Sequence, residues 1–218
     1  MNYSRAMVIN IFKSGLLITT TLIILSASCN KDKTKPCLNT VYSFQVTSEW
    51  NPQREIYNVG DTIFLNSEFP KILTDNATPV PAQIDYSNSD GIFGGIGISY
   101  LDTVLKQHIP ARDSFGYISI IGNFVELRIN QSQGIGSKYS ELAAKYQFKG
   151  GIICKKKGIY WIGVDELSSN GIIGKNCTNA AFDMTVTNSN KHEYLFQNAL
   201  NITPTPIVLQ RMYCFRVQ

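Results

Sequence analysis

Asp102, His108, Asp113 and Ser114 fall in one polar stretch and supply the side-chain types of a nucleophile, a base and an orienting carboxylate. Acyl transfer by such a set needs hydroxyl, imidazole and carboxylate within hydrogen-bond reach of one another. No Gly-x-Ser-x-Gly elbow surrounds Ser114 to present its hydroxyl on a sharp strand-to-helix turn. The stretch therefore reads as a solvated loop. Asp165-Glu166, at the end of an apolar run, offers a carboxylate for glycoside hydrolysis, which needs a second one across the scissile bond. The sequence nominates no such partner. Trp50, Tyr57, Tyr160 and Trp161 are a candidate ligand-binding set, a stacking platform for sugar rings if they share an exposed surface. Strand alternation that turns aromatics inward would instead place them in the core. No catalytic residue is assigned.

Chemistry of another kind lies at the N-terminus. Arg5 and Lys13 give a positively charged start, and Gly15–Leu25 is an apolar run. At about 1.5 Å per residue, such a run is too short for a hydrocarbon core about 30 Å thick. Ser26, Ala27 and Ser28 follow, and then Cys29. A charged start, a short apolar run and small residues make a cleavable signal. Leu25-Ser-Ala-Ser-Cys29 resembles the lipobox of bacterial lipoproteins, with Ser26 where that family usually has an aliphatic residue and Leu25 one step earlier. The resemblance implies that Cys29 takes a diacylglycerol and becomes the new N-terminus. Each buried CH₂ contributes about 0.8 kcal/mol, so two or three chains hold a protein to a membrane without a spanning helix. Asn30 is not the aspartate of inner-membrane retention, which makes the outer membrane the expected address. Lys31-Asp32 partly matches the surface-export signal of Bacteroidetes lipoproteins, leaving a periplasmic or a surface-exposed face open.

Export bears on the remaining cysteines. Cys37, Cys154, Cys177 and Cys214 are an even number in a chain bound for an oxidising compartment, which suggests two disulfides. Three connectivities are possible, and we take Cys154–Cys177 with Cys37–Cys214. The first closes a loop worth about 3 kcal/mol in the chain-entropy picture. The second ties the two ends of the domain together. There is no Cys-x-x-Cys pair, and the histidines are only His108 and His192, so no metal is implied. Gly91-Ile-Phe-Gly-Gly-Ile-Gly97 lacks both the G-x-G-x-x-G and the Gly-Lys-Ser/Thr patterns, so no nucleotide cofactor is implied either.

Charge narrows the partners. The formal +4 arises near the N-terminus, from Arg5, Lys13, Lys31, Lys33 and Lys35 against Asp32. Without those residues, the totals of 20 basic and 16 acidic side chains leave a body with 15 of each. A neutral body whose one basic cluster is Lys155-Lys156-Lys157 does not call for nucleic acid.

The elements that position these residues read as β. Val41, Phe44 and Val46 lie in a strand ending near Trp50, and Asn58-Val59-Gly60-Asp61 is a turn feeding a strand over 62–67. The string Tyr57–Ser67 resembles the start of exported β-sandwich modules. Residues 70–81, with Pro70, Pro79 and Pro81, read as loop or edge, and 83–87 as a short strand. Phe115–Asn130 reads as a hairpin turning at Gly122-Asn123, and Tyr146–Val164 as one turning at the three lysines. The lysines also guard the tip against edge pairing. Helices are expected over 138–146, from Leu142 and Tyr146 four apart, and over 191–200, from an Asn190-x-x-Glu193 capping box. Strands over 182–187, 207–209 and 212–217 complete the count.

The expected architecture is all-β, a single sandwich of immunoglobulin-like or related type with one or two helical insertions; a β-barrel or an α+β domain is the alternative. Residues 1–28 form the signal peptide, 29–36 the lipidated cysteine and a polar tether, and 37–218 one domain. The expected function is that of a membrane-anchored exported lipoprotein, a non-enzymatic binding or envelope-assembly module with a protein or glycan partner. The alternative is a hydrolase of envelope glycans or peptides.

Overall fold

The computed structural model describes residues 42–129, 132–189 and 191–218, all within a compact unit that runs from Cys37 to Gln218. The expected signal peptide, Cys29, the expected tether, Cys37 and Asn190 lie outside the described residues. Fifteen strands follow in chain order: β1 (Tyr42–Asn51), β2 (Ile56–Tyr57), β3 (Thr62–Pro70), β4 (Ile72–Asp75), β5 (Ala82–Asp85), β6 (Ile92–Asp102), β7 (Gln107–Pro110), β8 (Phe115–Ile121), β9 (Asn123–Ile129), β10 (Ser132–Lys138), β11 (Ser140–Leu142), β12 (Lys145–Cys154), β13 (Gly158–Ser169), β14 (Ala180–Val186) and β15 (Met212–Val217). Among the described residues a 3-10 turn spans Arg112–Ser114, and two α-helices follow, α1 (Glu193–Leu200) and α2 (Pro206–Leu209).

The fold is all-β, as the alternation of the sequence predicts. Thirteen strands join one sheet along the path β11-β12-β3-β1-β14-β13-β6-β10-β9, with β8 on β12, β7 on β6, and β15 between β13 and β2; β4 and β5 form a separate ribbon. One long core lies inside this wrapped sheet. β1 shows why: Phe44, Val46, Ser48 and Trp50 point in, while Gln45, Thr47 and Glu49 point out, the period of 2 that a half-buried strand requires. Phe182 of β14 sits among Phe44, Phe69 and Tyr86, with ring centroids 5.2, 5.6 and 5.7 Å away.

β15 has apolar residues on both faces. Tyr213, Phe215 and Val217 enter the main core, while Met212 and Cys214 enter a second cluster with Leu101 and the buried face of α1 (Leu195, Phe196, Ala199, Leu200). One helix thus covers the outside of the sheet where that strand is apolar all round.

Several local expectations change. The helix expected over 138–146 is the end of β10, then β11, then the start of β12. Tyr139, Tyr146 and Phe148 fill the core from these strands, and Ala143 takes a left-handed φ of 44° at the β11–β12 turn. A four-residue apolar spacing is also compatible with two strands and a turn, and tertiary burial decides. Residues 207–209 are helical instead of extended, entered through Pro206 at the first turn. Residues 70–81, read as loop or edge, do hold an edge strand, β4, which pairs with β5 alone among the described strands. α1 begins at Glu193 after His192, whose φ is 57° and whose side chain makes no capping bond.

Two expected hairpins are not hairpins. Gly122 turns the chain with φ 70° and Gly158 with φ 154°. Yet β8 pairs with β12 while β9 pairs with β10, and β12 pairs with β3 and β8 while β13 pairs with β15, β6 and β14. Each turn carries the chain from one part of the sheet to another.

Candidate functional site

The polar stretch 102–114 is dispersed by its own strands. Asp102 accepts the backbone N–H groups of Val104 and Leu105 at 2.8 and 2.9 Å, closing the β6–β7 turn. His108 lies opposite Leu101 in β7, exposed, with its ring 6.3 Å from that of Trp161. Asp113 and Ser114 belong to the 3-10 turn, where the backbone of Ser114 bonds Ala111 and Lys155. No hydrogen bond joins His108 to Asp102, Asp113 or Ser114 among the described residues. The three lysines continue this architecture, since the carbonyls of Lys156 and Lys157 accept the Tyr160 hydroxyl at 3.1 and 3.3 Å.

Asp165-Glu166 does not end a strand. The pair occupies a β-bulge inside β13, where the register against β6 shifts between Val164 and Leu167. Both side chains are exposed. The Asp165 carboxylate lies so close over Gly95 that a Cβ there would sit 2.2 Å from its Oδ2. No group of three or more His, Cys, Asp or Glu side chains that could hold a metal occurs among the described residues.

The four candidate aromatics do not share a surface. Trp50, Tyr57 and Tyr160 are core residues. Tyr57 staples the β1–β2 loop: its hydroxyl donates to the Pro52 carbonyl, accepts the Arg54 N–H at 3.2 Å and lies 3.2 Å from the Tyr213 hydroxyl, which itself donates to the Arg54 carbonyl at 2.8 Å. Trp161 lies on the other face of the sheet, half-buried against the second cluster beside Gly97 and Gly163 and edge-on to Phe196 at 6.4 Å. Alternation along β13, which points Tyr160 in and Trp161 out, accounts for the split.

The cysteines also depart from expectation. Cys154 and Cys214 are free and buried, so neither Cys154–Cys177 nor Cys37–Cys214 forms. Cys154 lies in the main core and Cys214 under α1, on opposite sides of the sheet. Cys177 is disulfide-bonded, to a residue outside the described ones.

Burial pushes both free thiols up to about 12 from an ordinary value near 9.0. The folded state therefore keeps these protons where the unfolded chain loses them. Their contribution to stability is complete below pH 9.0 and is lost as pH rises toward about 12. Burial of Tyr117, also raised to about 12, acts with the same sign. The urea midpoint is expected to fall steadily between pH 9 and 12, and a flat midpoint across that range would contradict the burial of these groups.

Two features of the exterior remain. A shallow polar cleft of about 460 Å³ crosses β1, β3 and β12, lined by Thr47, Glu49, Asn66, Glu68, Gln147 and Lys149. Glu68 is its most heavily bonded group, whereas the buried Asn66 Oδ1 and Ser48 Oγ accept and donate no hydrogen bond among the described residues. Glu68 pairs with Lys145 at 2.7 Å and accepts from Gln147 at 2.9 Å, and those contacts hold its carboxyl below the usual range. The second feature is β8. It is hydrogen-bonded to β12 alone among the described strands, is bulged where Lys149 and Gly150 face Ile121 and Ser119, and carries no charged residue from Phe115 to Ile121. Ile118 and Ile120 are 45% and 51% exposed. The sequence hides this, because Phe-Gly-Tyr-Ile-Ser-Ile-Ile reads equally well as a strand buried on both faces.

No helix among the described residues is long and apolar enough to cross a membrane. No protein-family model matches the chain, and no curated protein is significantly similar to it. Among solved structures, a type II cohesin, A11, from Bacteroides cellulosolvens is similar at 13% identity over 63% of this chain and 86% of that one, with a TM-score of 0.23. At that score the likeness carries no weight for function.

Proposed function

We propose that this chain is an exported lipoprotein, held to the outer membrane through Cys29, whose β domain is a binding module for a protein partner. The observation that supports it is the unguarded edge of β8. Edge strands normally carry lysine, proline or an inward charge that discourages further pairing. β7 ends in Pro110 and β9 carries Glu126, whereas β8 presents neither charge nor proline and exposes two isoleucines. An extended segment of a partner can add to such an edge, with its backbone supplying affinity and its alternate side chains meeting Ile118 and Ile120. The anchor is supported by the lipobox-like Leu25–Cys29 and by the short apolar run before it.

A photo-crosslinking amino acid placed at Ile118 of the full-length protein in living cells tests the reading. Ser168, exposed on β13, serves as the comparison position. A discrete adduct from position 118, absent from 168 and lost on Ile120→Lys, is expected. No adduct from 118, or equal adducts from both positions, would sink the binding edge.

A further inference from the structure

Cys177 sits in the loop 170–179 between β13 and β14. That loop is fixed by one bond of its own and two to the segment before β6: Ile172 N–H donates to the Thr178 hydroxyl at 2.7 Å, Asp90 N–H to the Gly171 carbonyl at 2.8 Å, and Ile173 N–H to the Asn88 carbonyl at 2.8 Å. The chain enters the sheet beside it. Tyr42 N–H donates to the Asn179 carbonyl at 3.2 Å, and β1 then runs parallel to β14 from the Tyr42–Ala180 pair onward. The sequence has five cysteines; with Cys154 and Cys214 free, the partner of Cys177 is Cys29 or Cys37. Cys37 precedes Tyr42 by five residues, a span of at most about 17 Å. Cys177 precedes Asn179 by two. The compact unit of the domain also begins at Cys37.

We propose that Cys37 and Cys177 are joined in a disulfide that fastens the entering chain to the β13–β14 loop, leaving Cys29 for the lipid. The second clause rests on the lipoprotein reading; the first does not. Bond formation removes one proton from each thiol and two electrons from the pair. A disulfide-bearing thiol oxidant of the envelope takes the electrons: one thiolate attacks its disulfide, and the second resolves the mixed disulfide, releasing the reduced dithiol.

The test uses full-length protein extracted from the envelope in detergent, unfolded, and labelled with a maleimide before and after reduction. Two labels before reduction and four after are expected, with C177S giving three before reduction. Peptide mapping without reductant should show Cys37 linked to Cys177, and an N-terminal peptide starting at acylated Cys29. Four labels before reduction, or a linkage through Cys154, Cys214 or Cys29, would overturn the clamp. A Cys37–Cys177 linkage with an unmodified Cys29 would uphold the clamp and overturn the lipid anchor.

Discussion

Phe182→Ala is expected to lower the thermal unfolding midpoint by about 6–20 °C, the fall that a loss of about 3–5 kcal/mol produces in a domain of this size. Phe182 is fully buried and stands where three parts of the chain meet: Phe44 on β1, Phe69 on β3 and Tyr86 after β5 all lie within 6 Å between ring centroids. Its strand pairs with β1 on one side and β13 on the other, so the ring is held by the middle of the sheet, where backbone shifts are least free. A cavity there cannot collapse, and the upper part of the range applies. Phe182→Leu, which keeps most of the volume, is expected to cost less than half as much. Calorimetry or a far-UV melt reads both; equal midpoints for the alanine variant and the wild type would remove Phe182 from the centre of the core.

Local signals in the sequence found the strands around Phe182 and missed how they are joined. The alternation of Phe44, Val46 and Trp50 predicts β1, and the structure shows it with the inward face as read. Turn chemistry at Gly122 and at Lys155–Gly158 also marks true turns. What a turn does not encode is whether its two flanking strands pair. At both turns they separate: β8 pairs with β12 and not with β9, and β13 with β6, β14 and β15 and not with β12. Strand pairing at long sequence separation is a property of the assembled core, and periodicity of 2 says nothing about the identity of the neighbour. The same limit explains the helix wrongly expected over 138–146. Leu142 and Tyr146 satisfy helical spacing, but Tyr139, Tyr146 and Phe148 are drawn into the core by extended pairing.

Site residues were less legible, for a related reason. Trp50, Tyr57, Tyr160 and Trp161 have one composition and two fates, divided by which face of a strand each occupies. For Trp161 the alternation with the inward Tyr160 held the answer. For Tyr57 the reason is a polar one, since its hydroxyl is consumed by the loop it closes and by Tyr213. The cysteines show the limit most plainly. Parity of the count suggested two bonds, Cys154–Cys177 and Cys37–Cys214, yet alternation buries Cys154 in the main core and Cys214 under α1, each as a free thiol.

Asn188→Ala is expected to destabilise the domain by about 2–4 kcal/mol, although it removes only a small polar side chain. Past the end of β14, Thr187 N–H still donates to the Ser48 carbonyl at 2.8 Å. Asn188 then extends the ladder with its side chain. Its Oδ1 accepts the Trp50 N–H at 3.0 Å, and its Nδ2 donates to the Trp50 carbonyl. Both bonds are buried, and on the other side of Trp50 the strand is already occupied by β3. Alanine would therefore strand one donor and one acceptor without water. Asn188→Asp separates the two bonds. An ionised carboxylate can accept from Trp50 N–H but cannot donate to its carbonyl, and its charge would be buried. Once protonated, the carboxyl can do both. Burial would raise the folded-state value of that carboxyl above its unfolded one, so its stability is present at low pH and lost as pH rises through the folded value. The difference in urea midpoint between Asn188→Asp and wild type should therefore narrow from pH 7 toward pH 4, while that of Asn188→Ala stays constant. A pH-independent deficit for the aspartate variant would mean that the donated bond contributes nothing.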